Sequence, residues 1–144
     1  ALAVIKGGGE YPNIRGQVYF YQIKAGVVVV AKVSGLPYEK DPCKQNIFGF
    51  HIHEGESCTG TDTDEFKNTG MHYNPDGCKH PCHAGDLPPL FGNHGIAFMA
   101  FLTDRFTLKE VLGKSVVIHR NPDDFISQPS GNAGTKIACG IIKP

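Results

Sequence analysis

Six of the seven histidines stand where a metal ion could use them. His51 and His53 lie one residue apart in an apolar run, and His72, His80 and His83 follow in a short stretch that ends at Asp86. His119 closes a second apolar run, Val116-Val117-Ile118. Imidazole is the commonest side-chain ligand for copper, zinc, iron and nickel, whereas carboxylates favour harder ions. Six imidazoles and one carboxylate exceed the four positions of a tetrahedral zinc and suit two ions that share a ligand. The pattern predicts a metalloprotein with two sites.

On a β-strand, residues i and i+2 share a face. His51 and His53 therefore point one way, roughly 7 Å apart at Cα, while Phe50 and Ile52 point the other way into a core. Taken alone, the same His-x-His also describes two exposed polar residues on a half-buried strand. His72, His80, His83 and Asp86 supply three imidazoles and a carboxylate, a complete tetrahedral set for zinc, with Pro81 helping the tight turn between His80 and His83. A rival grouping is a small zinc knuckle of Cys78, His80, Cys82 and His83, the kind of unit that serves an interaction module. It leaves His51, His53 and His119 without a task. His94, between Asn93 and Gly95, reads as a surface loop residue.

The 144 residues suit one domain over 1–144. Fourteen basic and fourteen acidic residues cancel, which gives no electrostatic footprint for nucleic acid or an anionic membrane. No apolar stretch approaches the roughly 20 residues that span a bilayer. The first six residues are too short to be a signal peptide, although one could have been removed. Gly 18 and Pro 10 imply many turns and favour an all-β domain. Strand-like runs cover Ile14–Ile23, Gly26–Val33, Ile47–His53, Gly95–Leu102, Ser115–His119 and Lys136–Ile142, with a weaker one near Ala3–Gly8. Thr107–Leu112 has room for one helical turn. The 40 residues from Glu54 to Asn93 show no strand or helix pattern, yet they hold four of the candidate ligands; a bound ion can order backbone that has no core of its own. Five cysteines, Cys43, Cys58, Cys78, Cys82 and Cys139, leave at least one thiol unpaired within a monomer.

Three stretches together are highly specific: Gly-Phe-His-Ile-His-Glu at 49–54, His-Tyr-Asn-Pro at 72–75 with His-Ala-Gly-Asp-Leu at 83–87, and Gly-Asn-Ala-Gly-Thr-Lys-Ile-Ala-Cys-Gly at 131–140. In this order they resemble the copper/zinc superoxide dismutase family. The resemblance implies an all-β fold, a Greek-key β-barrel or sandwich of about eight antiparallel strands with long metal-binding loops. It implies copper held by His51, His53, His72 and His119, and zinc held by His72, His80, His83 and Asp86, with His72 bridging the two. Asp123 matches the family's carboxylate that links a copper-ligand histidine to a zinc-ligand histidine. Cys58 and Cys139 match the intrachain disulfide, which points to an oxidising compartment or a cytosolic family member and leaves the compartment open.

The implied activity is dismutation of superoxide to dioxygen and hydrogen peroxide, with His72 carrying a proton and a cation at Lys136 drawing in the anion. In the family an arginine usually stands at Lys136, and lysine keeps the charge without the planar fork. The segment between His119 and Asn132 is shorter than usual and lacks the usual cluster of acids and lysines. These departures keep two alternatives open: a weakly active or non-catalytic metal-binding or copper-delivery protein, and iron at the redox site. His80 and His83 also stand closer together than in the family. Cys78 and Cys82 flank His80, and one extra disulfide among Cys43, Cys78 and Cys82 is expected there. Ser130 and Thr135 are expected to line a channel or cap turns, with turns favoured. The family often forms homodimers; no nucleic acid or membrane partner is expected.

Overall fold

A computed structural model of the chain describes residues 1–44 and 46–144. Among the described residues nine strands form: β1 (Leu2–Gly7), β2 (Arg15–Ile23), β3 (Gly26–Ser34), β4 (Ile47–Phe48), β5 (Phe50–His53), β6 (Leu90–Phe91), β7 (Ala97–Thr103), β8 (Ser115–His119) and β9 (Lys136–Lys143). A curled antiparallel sheet of seven runs in the order β5-β8-β9-β1-β2-β3-β7, and β4 pairs with β6 beside it. This is the all-β barrel class that the short runs and the resemblance implied. The turn at Thr107–Leu112 contains the single helix α1 (Leu108–Val111). Glu110 accepts the Thr107 backbone N–H at 2.6 Å, which closes its first turn.

Alternation builds the core. Ala3 and Ile5 of β1, Val18 and Phe20 of β2, and Val27, Val29, Ala31 and Val33 of β3 are all buried, while their neighbours face outward. In β5 and β8 every residue is buried. Phe50, Ile52, Val116 and Ile118 join the main core, and the opposite faces of the same two strands lie beneath the segment that follows His53.

Two expectations need correction. The run Ile47–His53 is not one strand, because Gly49 leaves the ladder between β4 and β5. Its N–H donates to Asn121 O and its carbonyl accepts from His119 N–H, both at 2.8 Å. A Cβ there would stand 2.7 Å from that of Ala133, so only glycine permits the approach. The long segment after Glu54 is also not without regular structure. It contains a 3-10 turn at Lys67–Thr69 and strand β6 after Pro88-Pro89, with Ile47 opposite Phe91 and Phe48 opposite Leu90. A two-residue strand is too short to show a period.

Cys58 and Cys139 form the disulfide implied by the resemblance, across a sequence separation of 81. With Phe66 and Val117 it makes a small apolar cluster between the loop and the back of β8 and β9. Closing so long a loop removes unfolded-state entropy worth about 4 kcal/mol. Replacing both cysteines by serine is expected to lower the unfolding free energy by roughly that amount and the melting temperature with it, read by calorimetry against the parent under oxidising conditions.

Candidate metal centre

Three elements deliver the six buried histidines. β5 carries His51 and His53, β8 ends on His119, and the loop between β5 and β6 brings His72, His80, His83 and Asp86. The loop is laid along β5 by backbone bonds: Tyr73 N–H to Ile52 O, Ile52 N–H to Gly85 O and Gly85 N–H to Tyr73 O, at 2.8, 2.8 and 2.9 Å. These set His72 opposite His53 and Asp86 opposite His51.

Two donor groups result, and His72 belongs to both. His51, His53, His72 and His119 form one, and His72, His80, His83 and Asp86 form the other, with the donor atoms of each group within 4.8 Å of one another. In the second, Asp86 lies 2.8 Å from His72 Nδ1, 3.0 Å from His80 Nδ1 and 3.2 Å from His83 Nδ1. His72 Nδ1 and His83 Nδ1 are 3.3 Å apart. Atoms bound tetrahedrally to one zinc at about 2.0–2.1 Å stand roughly 3.3–3.4 Å from one another, so these spacings lie within about 0.5 Å of a coordination shell. In the first group, His53 Nε2 and His119 Nε2 are 3.1 Å apart.

Outer contacts decide which nitrogen of each ring faces inward. His53 Nδ1–H donates to Gly70 O at 2.9 Å and His119 Nδ1–H to Gly134 O at 3.1 Å, which leaves both Nε2 atoms for the centre. Asp123 accepts from His51 Nε2 at 2.7 Å and from His80 Nε2 at 2.8 Å, turning the Nδ1 atoms of those rings inward. Three ring nitrogens, His51 Nδ1, His72 Nε2 and His80 Nδ1, are buried without a well-directed hydrogen bond among the described residues, although Asp86 stands 3.0 Å from His80 Nδ1. A buried imidazole nitrogen without a donor or acceptor is costly. The donor chemistry and the three orphaned atoms fit two metal ions.

Comparison with known proteins agrees with that donor set. The family model described as copper/zinc superoxide dismutase matches residues 14–142. The chain is similar to two proteins of Aquifex aeolicus (strain VF5). One, superoxide dismutase [Cu-Zn] 2, is 33% identical over 158 aligned positions that cover 96% of this chain and 87% of that protein. The other, superoxide dismutase [Cu-Zn] 1, is 35% identical over 143 positions covering 89% and 79%. The chain belongs to the copper/zinc superoxide dismutase family.

Two expectations about cysteines fail in this member. Cys43, Cys78 and Cys82 are free and exposed, so no extra disulfide forms among them. The Asn74 side chain brackets Cys78 through its N–H and carbonyl at 2.9 Å each, and Cys82 N–H closes a turn on Lys79 O. Disulfides need converging Cβ vectors, which spacing alone does not supply. The zinc knuckle is absent too, because His80 and His83 turn to Asp86, and neither Cys78 nor Cys82 joins a donor group among the described residues.

A cavity of about 540 Å³ opens onto the first group, lined by His53, His72, His119, Ser130 and Lys136. Lys136 Nζ donates to Phe66 O at 3.3 Å and to Gly70 O at 3.4 Å. Burial draws its pKa below the ordinary lysine value, and the Asp64 carboxylate partly offsets this. Thr135 is exposed, and its carbonyl accepts the Arg120 N–H at 2.8 Å. His94 is an exposed loop residue, as its neighbours implied.

Sequence reasoning missed three supports. Gln128 accepts the His80 N–H at 2.9 Å and donates to His80 O at 2.7 Å, which fixes that histidine's backbone. Gly131 packs so closely that a Cβ would overlap Asp123 and His80. The carbonyls of Gly70 and Gly134 act as ring acceptors. Of these, Gly131 and Gly134 lie inside the 131–140 motif.

Burial disfavours the charged form of His51, His53 and His119. It draws His51 down to about 4, opposed by the hydrogen bond to Asp123, and His119 down to about 3, aided by the charge of His51. Burial alone would raise the Asp123 carboxyl, but its bonds from His51 and His80 hold it well below the ordinary range. With the folded pKa below the unfolded value of about 6.5, the unfolded chain binds protons that the folded chain refuses. The His51 contribution to the stability of the metal-free protein is therefore present above pH ~6.5 and falls as pH drops to about 4, and His119 extends the fall to about 3. The linked free energy is on the order of 3 kcal/mol for His51 alone. Melting curves of chelator-treated protein between pH 7.5 and 4.5 check this, and a flat profile would contradict it.

Proposed function

We propose that the protein dismutes superoxide to dioxygen and hydrogen peroxide at a copper held by His51, His53, His72 and His119, with zinc held by His72, His80, His83 and Asp86. The observation that carries this reading is the His72 ring: its Nδ1 stands 2.8 Å from Asp86 in the second group, while its buried Nε2 belongs to the first and has no partner. When bound, copper would supply a one-electron couple between Cu(II) and Cu(I), and zinc a redox-inert charge that fixes one side of that ring.

Two superoxide anions and two protons yield one dioxygen and one hydrogen peroxide, so the cavity must admit both anions and protons. His72 Nε2 is placed to hold one of those protons at the cavity wall, while Nδ1 remains committed to the Asp86 group. Asp123 keeps His51 and His80 in single ring orientations, so neither can turn its inward nitrogen away. Lys136, in the same cavity and hydrogen-bonded among the described residues only to carbonyls, draws the anion in and docks it as a point charge.

Purified protein loaded with each metal in turn is expected to show activity with copper and zinc, and elemental analysis of protein from its own source separates copper from iron. Absence of turnover in a fully copper-loaded sample would leave only a metal-binding or delivery role. Lys136→Arg is expected to raise kcat/KM by restoring the planar fork, and Lys136→Ala to lower it about tenfold through lost anion capture. Stopped-flow decay of superoxide at low ionic strength reads both. No change in either variant would remove Lys136 from the mechanism.

A further inference from the structure

Arg105 follows β7 on the short link to α1, on the side of the barrel that faces the His80–Asp86 loop. Its frame is rigid. Phe106, the next residue, is buried in the main core, the Arg105 N–H donates to Thr103 Oγ1 at 3.3 Å, and Leu108 N–H donates to Gln22 Oε1 of β2 at 2.8 Å. From this base the guanidinium reaches across to the loop. Nη1 lies 2.8 Å from Pro81 O, 3.4 Å from His83 O and 3.5 Å from Asp86 O.

Three carbonyl oxygens turned to one point repel one another unless a donor sits among them. The loop otherwise holds itself mainly by local turns, Cys82 N–H to Lys79 O and Asp86 N–H to His83 O. Its contacts to β5, through Gly85 and Leu87, lie on one side only. Arg105 grips the other side, and two of the carbonyls it meets belong to His83 and Asp86, which are donors of the second metal group. We infer that Arg105 is a positioning residue for zinc: its guanidinium gathers the Pro81, His83 and Asp86 carbonyls and so holds the His83 and Asp86 donor atoms at coordination spacing. This rests on the zinc reading of that group.

Arg105 touches no donor atom directly, so its effect is on how well a closed shell is retained. Supports of this kind change metal affinity by about 10–100-fold when removed. In Arg105→Ala, zinc is expected to leave the holoprotein for a chromophoric chelator at a competitor concentration at least about tenfold lower than for the parent. Cobalt(II) in place of zinc gives a ligand-field spectrum that reports shell geometry, and its visible bands are expected to shift and weaken in the variant. The melting temperature after both metals are removed is expected to stay within about 2 °C of the parent, because the Arg105 bond lies at the surface.

Unchanged zinc retention, or an unaltered cobalt spectrum, would overturn the inference. So would a fall in metal-free stability large enough to account for the whole loss, since Arg105 would then be a fold anchor only. His83→Ala separates this from failure of the underlying reading. If the parent takes up cobalt with a spectrum that His83→Ala does not alter, the second group is not the zinc site and both statements fall together.

Discussion

The carboxylate of Asp123 joins two imidazoles that reach it from different parts of the chain. His51 arrives on a strand of the barrel, and His80 arrives on the loop that covers it. Both rings and the carboxylate are buried, so no bulk water stands ready to satisfy the ring nitrogens. Each imidazole therefore needs a partner at both ends, and Asp123 supplies the outer end for two at once. The inner nitrogens are then fixed in direction before any ion arrives. Tying the strand histidine to the loop histidine also fixes the distance between the two donor groups. That distance is what allows the single ring of His72 to belong to both.

Burial of the histidines and order in the loop depend on each other. β5 and β8 are covered on both faces, but only one face meets the main apolar core. The other is roofed by a segment with few apolar anchors of its own, chiefly Phe66 with the Cys58–Cys139 disulfide against Val117. Backbone bonds to Ile52 and the outer contacts of the rings complete the roof. Such a segment gains much of its order from what it encloses. What it encloses are buried imidazoles, and burial disfavours the charged form of His51, His53 and His119.

The sequence made the strands legible where one face was apolar and the other carried chemistry. Alternation alone put His51 and His53 on one face and Phe50 and Ile52 on the other, and all four are buried as that reading requires, with the loop accounting for the polar pair. Gly49 hid the break in the same run, because a glycine that leaves the ladder differs from one within it only in what packs against it. β6 was illegible because two residues cannot show a period. The disulfide was readable only through the resemblance. The free state of Cys78 and Cys82 was not readable at all, since it is set by the Asn74 bracket and the Lys79 turn. Backbone acceptors such as Gly70 O and Gly134 O leave no mark in a sequence, because every residue has a carbonyl.

Acceptors of that kind also shape the electrostatics of the cavity. Gly70 O receives both the His53 Nδ1–H and the Lys136 Nζ, so one carbonyl sets a ring tautomer and places a cation. A carboxylate in that position would hold lysine more tightly but would neutralise it. Carbonyls orient the ammonium and leave its charge uncompensated; among the described residues no carboxylate pairs with Lys136, and Asp64 acts on it only from a distance. The low-dielectric wall then concentrates the field of that charge into the opening. Arg105 is arranged by the same rule on the opposite flank, a cation held among carbonyls rather than acids. There it faces the backbone of the loop instead of the cavity, whereas the Lys136 ammonium lies against the cavity.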